Sequence, residues 1–323
     1  MAAPATLQKP APQPPRVNRM TLTSVTKGRI PGPYRLLVHG VDGVGKTTFG
    51  ADAPGSIFLG TEDGTSELDV ARFPTPEAWE DILDAIATLT ADAGGYKTLV
   101  VDSLDWAEPL LHSKLISEDG KADVIEEIAG GYGKWVSVVT NHWRILLAAL
   151  ERLQRVHRMN VILIAHSFIK QFSNPEGEDY SRYVLKLADK SAALCREWSK
   201  GCYFAQYETF AVKEKGKKVK GVSTGSRLLY TQRTAAYDAK DRYGLAEQIP
   251  LSWEEFDQAA QKGAADLANL AAEVKRKAAE VGGEIQAKAL AVLAEHAEDV
   301  TMLRKLNDRL NAKIAEKHEK EGA

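Results

Sequence analysis

The chain has 323 residues, enough for one large α/β domain with a smaller appendage and a well-buried core. Hydrophobic residues make up 44% and charged residues 27%, and a formal net charge of −2 excludes a global electrostatic drive toward nucleic acid, so any DNA binding must rest on a local patch. Cys195 and Cys202 are too few for a disulfide framework and lack zinc spacing, no apolar run approaches the roughly 18 residues of a membrane span, and the start lacks a signal-peptide core; a reducing cytoplasm is the expected setting.

Residues 1–30 carry Pro4, Pro10, Pro12, Pro14 and Pro15 with Lys9, Arg16, Arg19, Lys27 and Arg29 and no acid, a composition that predicts a disordered or extended basic arm. "YRLLVH" follows as a strand, and Gly40, Val41, Asp42, Gly43, Val44, Gly45, Lys46 and Thr47 then satisfy the phosphate-loop pattern in every required position, with Thr48 opening a helix. Such a loop wraps a polyphosphate in backbone N–H groups, which requires Gly43 and Gly45 to take angles or approaches that a side chain forbids. Lys46 is expected to reach the β and γ phosphates of ATP and the Thr47 hydroxyl to ligate Mg²⁺, with the positive end of the helix dipole adding to the attraction.

The next strand, "SIFLG", runs into "TEDGT". In a parallel sheet its end lies on the nucleotide edge, so Glu62 is the candidate to orient and deprotonate an attacking water, with Asp63 competing for the role. "KTLVVD" ends in Asp102, placed to hold Mg²⁺ through water. Strands at "NVILIA", "CYFAQYETFAV" and "SRLLYT" complete the series, with helices near 76–90, 105–118, 134–157 and 189–199 between strands. The last two strands flank "KEKGKK" and predict an antiparallel hairpin, whose five lysines within residues 213–220 are a candidate DNA-backbone contact. After Trp253 the text turns to Ala, Glu, Lys and Leu with a break at Gly282-Gly283, predicting two or three helices between about 254 and 320. The expected organisation is an arm over 1–30, a core over 31–256 and a helical region over 257–323.

Phosphate loop, strand-"TEDGT", "KTLVVDS" and "NVILIAHS", in that order, resemble the RecA-type recombinase core, and more closely the phage nucleotide-binding ATPases of that superfamily, including the shortened RecA-like single-strand annealing proteins of the Sak type. The resemblance covers roughly residues 34 to 256. It implies an α/β fold with a mostly parallel sheet, a late antiparallel hairpin and a C-terminal helical appendage. Residue by residue it makes Lys46 and Thr47 the phosphate and Mg²⁺ ligands, Glu62 the water-activating acid and Asp102 the second acid on the Mg²⁺ side. His166 falls at the γ-phosphate-sensing position, where RecA itself carries an amide; an imidazole can donate to a phosphate oxygen as well. Within "AAYDAKDRYGLAEQIPLSWEEF", Lys240 and Arg242 occupy the alternate positions of cations that reach the ATP of a neighbouring subunit, which would tie hydrolysis to assembly.

The resemblance also places DNA at the loops after the Asp102 and Ala165 strands. The first is "IAGGYGKW", with Tyr132, Lys134 and Trp135. The second is "HSFIKQFSNPEGEDYSRYVLK", with Phe168, Lys170, Phe172, Arg182, Tyr183 and Lys186, although Glu176, Glu178 and Asp179 oppose a polyanion there. Aromatic groups interleaved with cations suit unstacked single strands. The expectation is therefore an ATP- and Mg²⁺-dependent ATPase, stimulated by DNA, that binds single-stranded DNA as a filament or ring and promotes annealing or strand pairing, with a single-strand-binding protein as a further partner and a bacterial host cytoplasm as the location if phage-encoded. A nucleotide-gated DNA-binding scaffold with little turnover and a helicase or motor ATPase share these residues.

Overall fold

The computed structural model describes residues 20–26, 30–212, 220–296 and 300–321. The expectations for an amino-terminal arm and for the lysine-rich turn fall largely on residues 1–19, 27–29 and 213–219, outside the described residues. The chain divides between Ile30 and Pro31, and the fold described below is that of residues 31–323.

Nine strands form the sheet among the described residues: β1 (Arg35–Gly40), β2 (Ser56–Gly60), β3 (Ala71–Arg72), β4 (Thr98–Asp102), β5 (Asn160–Phe172), β6 (Tyr180–Leu185), β7 (Gly201–Val212), β8 (Lys220–Tyr230) and β9 (Gln248–Pro250). The helices are α1 (Lys46–Ala51), α2 (Trp79–Ala91), α3 (Leu104–Asp119), α4 (Trp135–His157), α5 (Asp189–Trp198), α6 (Trp253–Val281), α7 (Gly283–Glu295) and α8 (Val300–Glu321). The sheet runs β3-β2-β4-β5-β1-β7-β8-β9, parallel from β3 to β7 and antiparallel thereafter, with β6 paired antiparallel to the outer half of β5. This is the mostly parallel α/β sheet with a late hairpin and C-terminal helices expected of a RecA-like phosphate-loop core.

The apolar runs are continuous because helices cover both faces of the sheet. Successive residues of a strand face opposite sides, so Leu37, Leu59, Val101, Leu163 and Ala165 enter one core with α2 to α5, while Leu36, Val38, Val100, Ile162 and Ile164 enter the other with α1 and the start of α6. In the second core Phe256, fully buried, packs rings with Tyr34, Phe49, Tyr203, Tyr243 and Trp253 and ties α6 to the sheet. Burying one such side chain is worth about 1.5–3 kcal/mol. A third apolar cluster joins α6, α7 and α8 through Leu267, Val274, Ala278, Leu293, Leu303 and Leu310. Among the described residues no helix is long and apolar enough to cross a membrane.

Two segments differ from the sequence reading. The stretch expected as a second DNA loop is mostly sheet, because β5 continues to Phe172 and β6 pairs with it from Tyr180. The segment before α4 holds a 3-10 turn over Ile125–Gly130 and then glycines at positive φ.

Candidate functional site

Parallel register gathers the site. Gly40 at the end of β1 stands beside His166 of β5, Asp102 at the end of β4 beside Ile164, and Gly60 of β2 beside Asp102, so the expected residues leave the sheet along one edge. Such an edge is where open α/β sheets hold ligands.

The phosphate loop spans Gly40 to the first turn of α1, with Gly43 at φ +69° and Gly45 at φ +105°, the left-handed region that glycine enters without steric cost. Lys46 is 4% exposed, and its ammonium donates to the carbonyls of Val41 at 2.9 Å and Gly40 at 3.3 Å. Burial pushes its pKa down, against the fields of Asp102, Asp42, Asp105 and Glu62. Thr47 Oγ1 donates to Asp102 Oδ2 at 2.7 Å. Burial pushes the Asp102 carboxyl up, and the Thr47 hydrogen bond partly offsets it. Asp102 is further fixed by its neighbours: the Thr61 N–H donates to the Asp102 carbonyl at 2.8 Å, and the Thr61 hydroxyl donates to the Ser103 carbonyl at 2.6 Å.

Among the described residues no three His, Cys, Asp or Glu side chains form a metal cage. One hydroxyl and one buried carboxylate in contact are the hard oxygen donors from which Mg²⁺ is held when substrate phosphates and water complete its shell, so the residues fit that ion.

Glu62 projects into the same space, its side chain 22% exposed and Oε1 3.8 Å from His166 Nδ1. Gly64 lines the same space: a β-carbon there would lie 3.9 Å from each of Asp102 Oδ2, Glu62 Cγ and Thr47 Oγ1. Asp105, on the first turn of α3, was not anticipated. Its Oδ1 accepts from the His166 backbone N–H at 2.9 Å and its Oδ2 from Nδ1 at 3.0 Å. That hydrogen bond raises the His166 pKa despite burial, and leaves Nε2 facing Asp42 at 3.7 Å. Burial alone would lift Asp105, but the His166 hydrogen bonds outweigh it and hold the carboxyl low.

The β7–β8 hairpin also reaches the loop. Tyr207 of β7 donates its hydroxyl to the Gly43 carbonyl at 3.0 Å, and its cross-strand neighbour Arg227 lies against Gly45. Neither residue carries a motif, and their separation from the loop in sequence hides the contact.

The remaining candidates separate by environment. Lys240 pairs with Cys202, which stands opposite Leu37, and so sits about 10 Å down β1 from the phosphate loop of its own chain. Its ammonium donates to the Arg196 and Glu197 carbonyls at the end of α5, whereas Arg242 is exposed. In the first proposed DNA loop Tyr132 is fully exposed and Lys134 exposed, but Trp135 packs on the core beside His112.

On the β5–β6 hairpin Phe168 is exposed and Lys170 pairs with Asp189 at 2.8 Å, while the exposed Lys186 reaches to 4.0 Å of Asp105. Phe172 packs at a tilt against Tyr180, and Tyr183 packs on Phe204. Arg182 is buried and bonded to Asp238 at 2.6 Å, with Arg233 and Arg196 around the same carboxylate. Arg182 is thus an internal packing group rather than an exposed contact, and Trp135 is half-buried against the core. The hairpin's face of Lys170, Phe172, Arg182 and Val184 borders a cavity of about 570 Å³.

A family model described as an AAA domain matches residues 32–243. A crystal structure of the RadB recombinase is similar at 16% identity, covering 62% of this chain and 80% of that one with a TM-score of 0.35. No curated protein matches the chain.

Proposed function

The chain belongs to the AAA domain family, and from that premise we propose that it is an ATP- and Mg²⁺-dependent ATPase that grips single-stranded DNA as a multimer and promotes annealing or strand pairing. The observation that carries the nucleotide half is the Thr47–Asp102 contact of 2.7 Å beside the buried Lys46 and the Glu62–His166 pair.

In this reading Lys46 neutralises the β and γ phosphates, and Thr47 and Asp102 would hold Mg²⁺, whose bound charge would offset that of the transferred group. Glu62 orients a water and accepts its proton as the water oxygen bonds to the γ phosphorus and the bond to ADP breaks. His166, whose pKa is raised by its bond to Asp105, donates from Nε2 toward the phosphates when its ring carries the second proton. Because His166 continues into the β5–β6 hairpin, contact with the γ-phosphate would bias Phe168, Lys170 and Lys186, which supply stacking and charge for a single strand along with Tyr132 and Lys134.

The DNA half is tested by anisotropy of a labelled single strand with the full chain, with and without ATP and Mg²⁺, followed by annealing of complementary strands. Binding that tightens with ATP and disappears in Lys46→Ala is expected. Single-strand binding indifferent to nucleotide would remove the coupling.

A further inference from the structure

We propose that Arg227 is a nucleotide-binding cation, supplied in cis by the β7–β8 hairpin to the α and β phosphates. The inference rests on the nucleotide reading of the phosphate loop and extends it to a residue outside every motif.

Three observations point the same way. A β-carbon on Gly45 would lie 2.6 Å from Arg227 Nη1 and 3.5 Å from its Cζ, so the guanidinium occupies the space that a side chain at Gly45 would fill. Gly45 immediately precedes Lys46, in the stretch of such a loop whose amides surround the α and β phosphates.

The hairpin is held there. The Tyr207 hydroxyl donates to the Gly43 carbonyl at 3.0 Å, Tyr207 and Arg227 are register partners, and the Leu251 N–H donates to the Arg227 carbonyl at 2.9 Å. The hairpin is therefore anchored at Gly43 by Tyr207, which sets the Arg227 side chain against Gly45.

Charge gives the third reason. The fields of Asp102, Asp42, Asp105 and Glu62 all bear on Lys46, so the site is rich in carboxylates where a polyphosphate must sit. Among the described residues Arg227 has no carboxylate in salt-bridge contact and is exposed, a cation free to turn toward an anion. Its planar fork suits phosphate oxygens, to which charge-assisted hydrogen bonds are the strong ones.

The test is equilibrium binding of fluorescent ADP and of a non-hydrolysable ATP analogue to the full chain with Mg²⁺, across a salt series. Wild type is compared with Arg227→Ala, Arg227→Met, Arg227→Lys and Lys46→Ala. Arg227→Ala and Arg227→Met are expected to weaken both nucleotides about tenfold and to flatten the salt dependence, with Arg227→Lys recovering most of the loss. Wild-type affinity in Arg227→Ala, or in Arg227→Met, which keeps the stem without the charge, would overturn the inference while leaving the phosphate-loop reading intact. No binding by wild type, or binding undiminished in Lys46→Ala, would overturn that reading and the inference with it.

Discussion

His39 and His166 stand on adjacent strands and are driven in opposite directions by their surroundings. His39 is fully buried; its Nε2–H donates to the Asp238 carbonyl at 2.9 Å, and in the neutral ring that burial favours, Nδ1 accepts from the Ser167 hydroxyl at 2.8 Å. Burial pushes its pKa down from 6.5 to about 4. A lowered histidine pKa means the unfolded chain takes up a proton that the folded chain refuses, so stability is lost as pH falls from about 6.5 toward 4, by about 3 kcal/mol in full. The stability advantage of wild type over His39→Gln should accordingly shrink across that interval in urea titrations, and a constant difference would contradict the buried neutral ring. His166 has the opposite sign, since Asp105 raises its pKa: its contribution is complete below the unfolded value and fades as pH rises through the folded one. Asp105→Asn should bring the His166 titration to lower pH by NMR of the imidazole, and an unmoved titration would remove Asp105 as its partner.

At the scale of elements, the junction of β1 with the phosphate loop is the least tolerant. A β-carbon at Gly40 would lie 2.0 Å from the Ala205 carbonyl oxygen of β7, so Gly40→Ala must push the two strands apart. The expected loss is about 1–3 kcal/mol or more in chemical denaturation, and a neutral outcome would mean the strands are not in close contact. Gly40, Lys46, Thr47 and Asp102 were legible because a motif and a buried strand fix their places along one edge. Asp105 was not, since a single carboxylate on the first turn of a helix carries no periodic signal, and Arg227 was not, since the contact depends on a hairpin closing from far along the chain. The β5–β6 hairpin was legible in part. "FIKQF" and "YSRYVL" alternate around "NPEG", a strand-turn-strand signature, but cations and aromatics read equally well as a mobile loop. Pairing puts Phe168 and Arg182 on the same face, where packing against Asp238 buries Arg182 and leaves Phe168 exposed.

For the whole molecule, the sheet edge supplies Lys46, Thr47, Glu62, Asp102 and His166 within one chain, whereas Arg242 is exposed and Lys240 lies down β1 from that chain's own phosphate loop. We propose that Arg242 acts in hydrolysis on the nucleotide of a neighbouring subunit. Arg242→Ala should lower assembly-linked turnover severalfold while leaving ATP affinity near wild type, and mixed assemblies of Arg242→Ala with Glu62→Gln subunits should regain activity wherever an intact Arg242 meets an intact Glu62; no recovery in any mixture would argue against a cross-subunit cation. The most direct measurement is phosphate release from ATP with Mg²⁺, with and without single-stranded DNA, in wild type and in Glu62→Gln. Expected is turnover raised by DNA and lost in Glu62→Gln with ATP binding preserved. Turnover unchanged in Glu62→Gln, or absent from a wild-type chain that binds ATP, would contradict a water-activating role for Glu62.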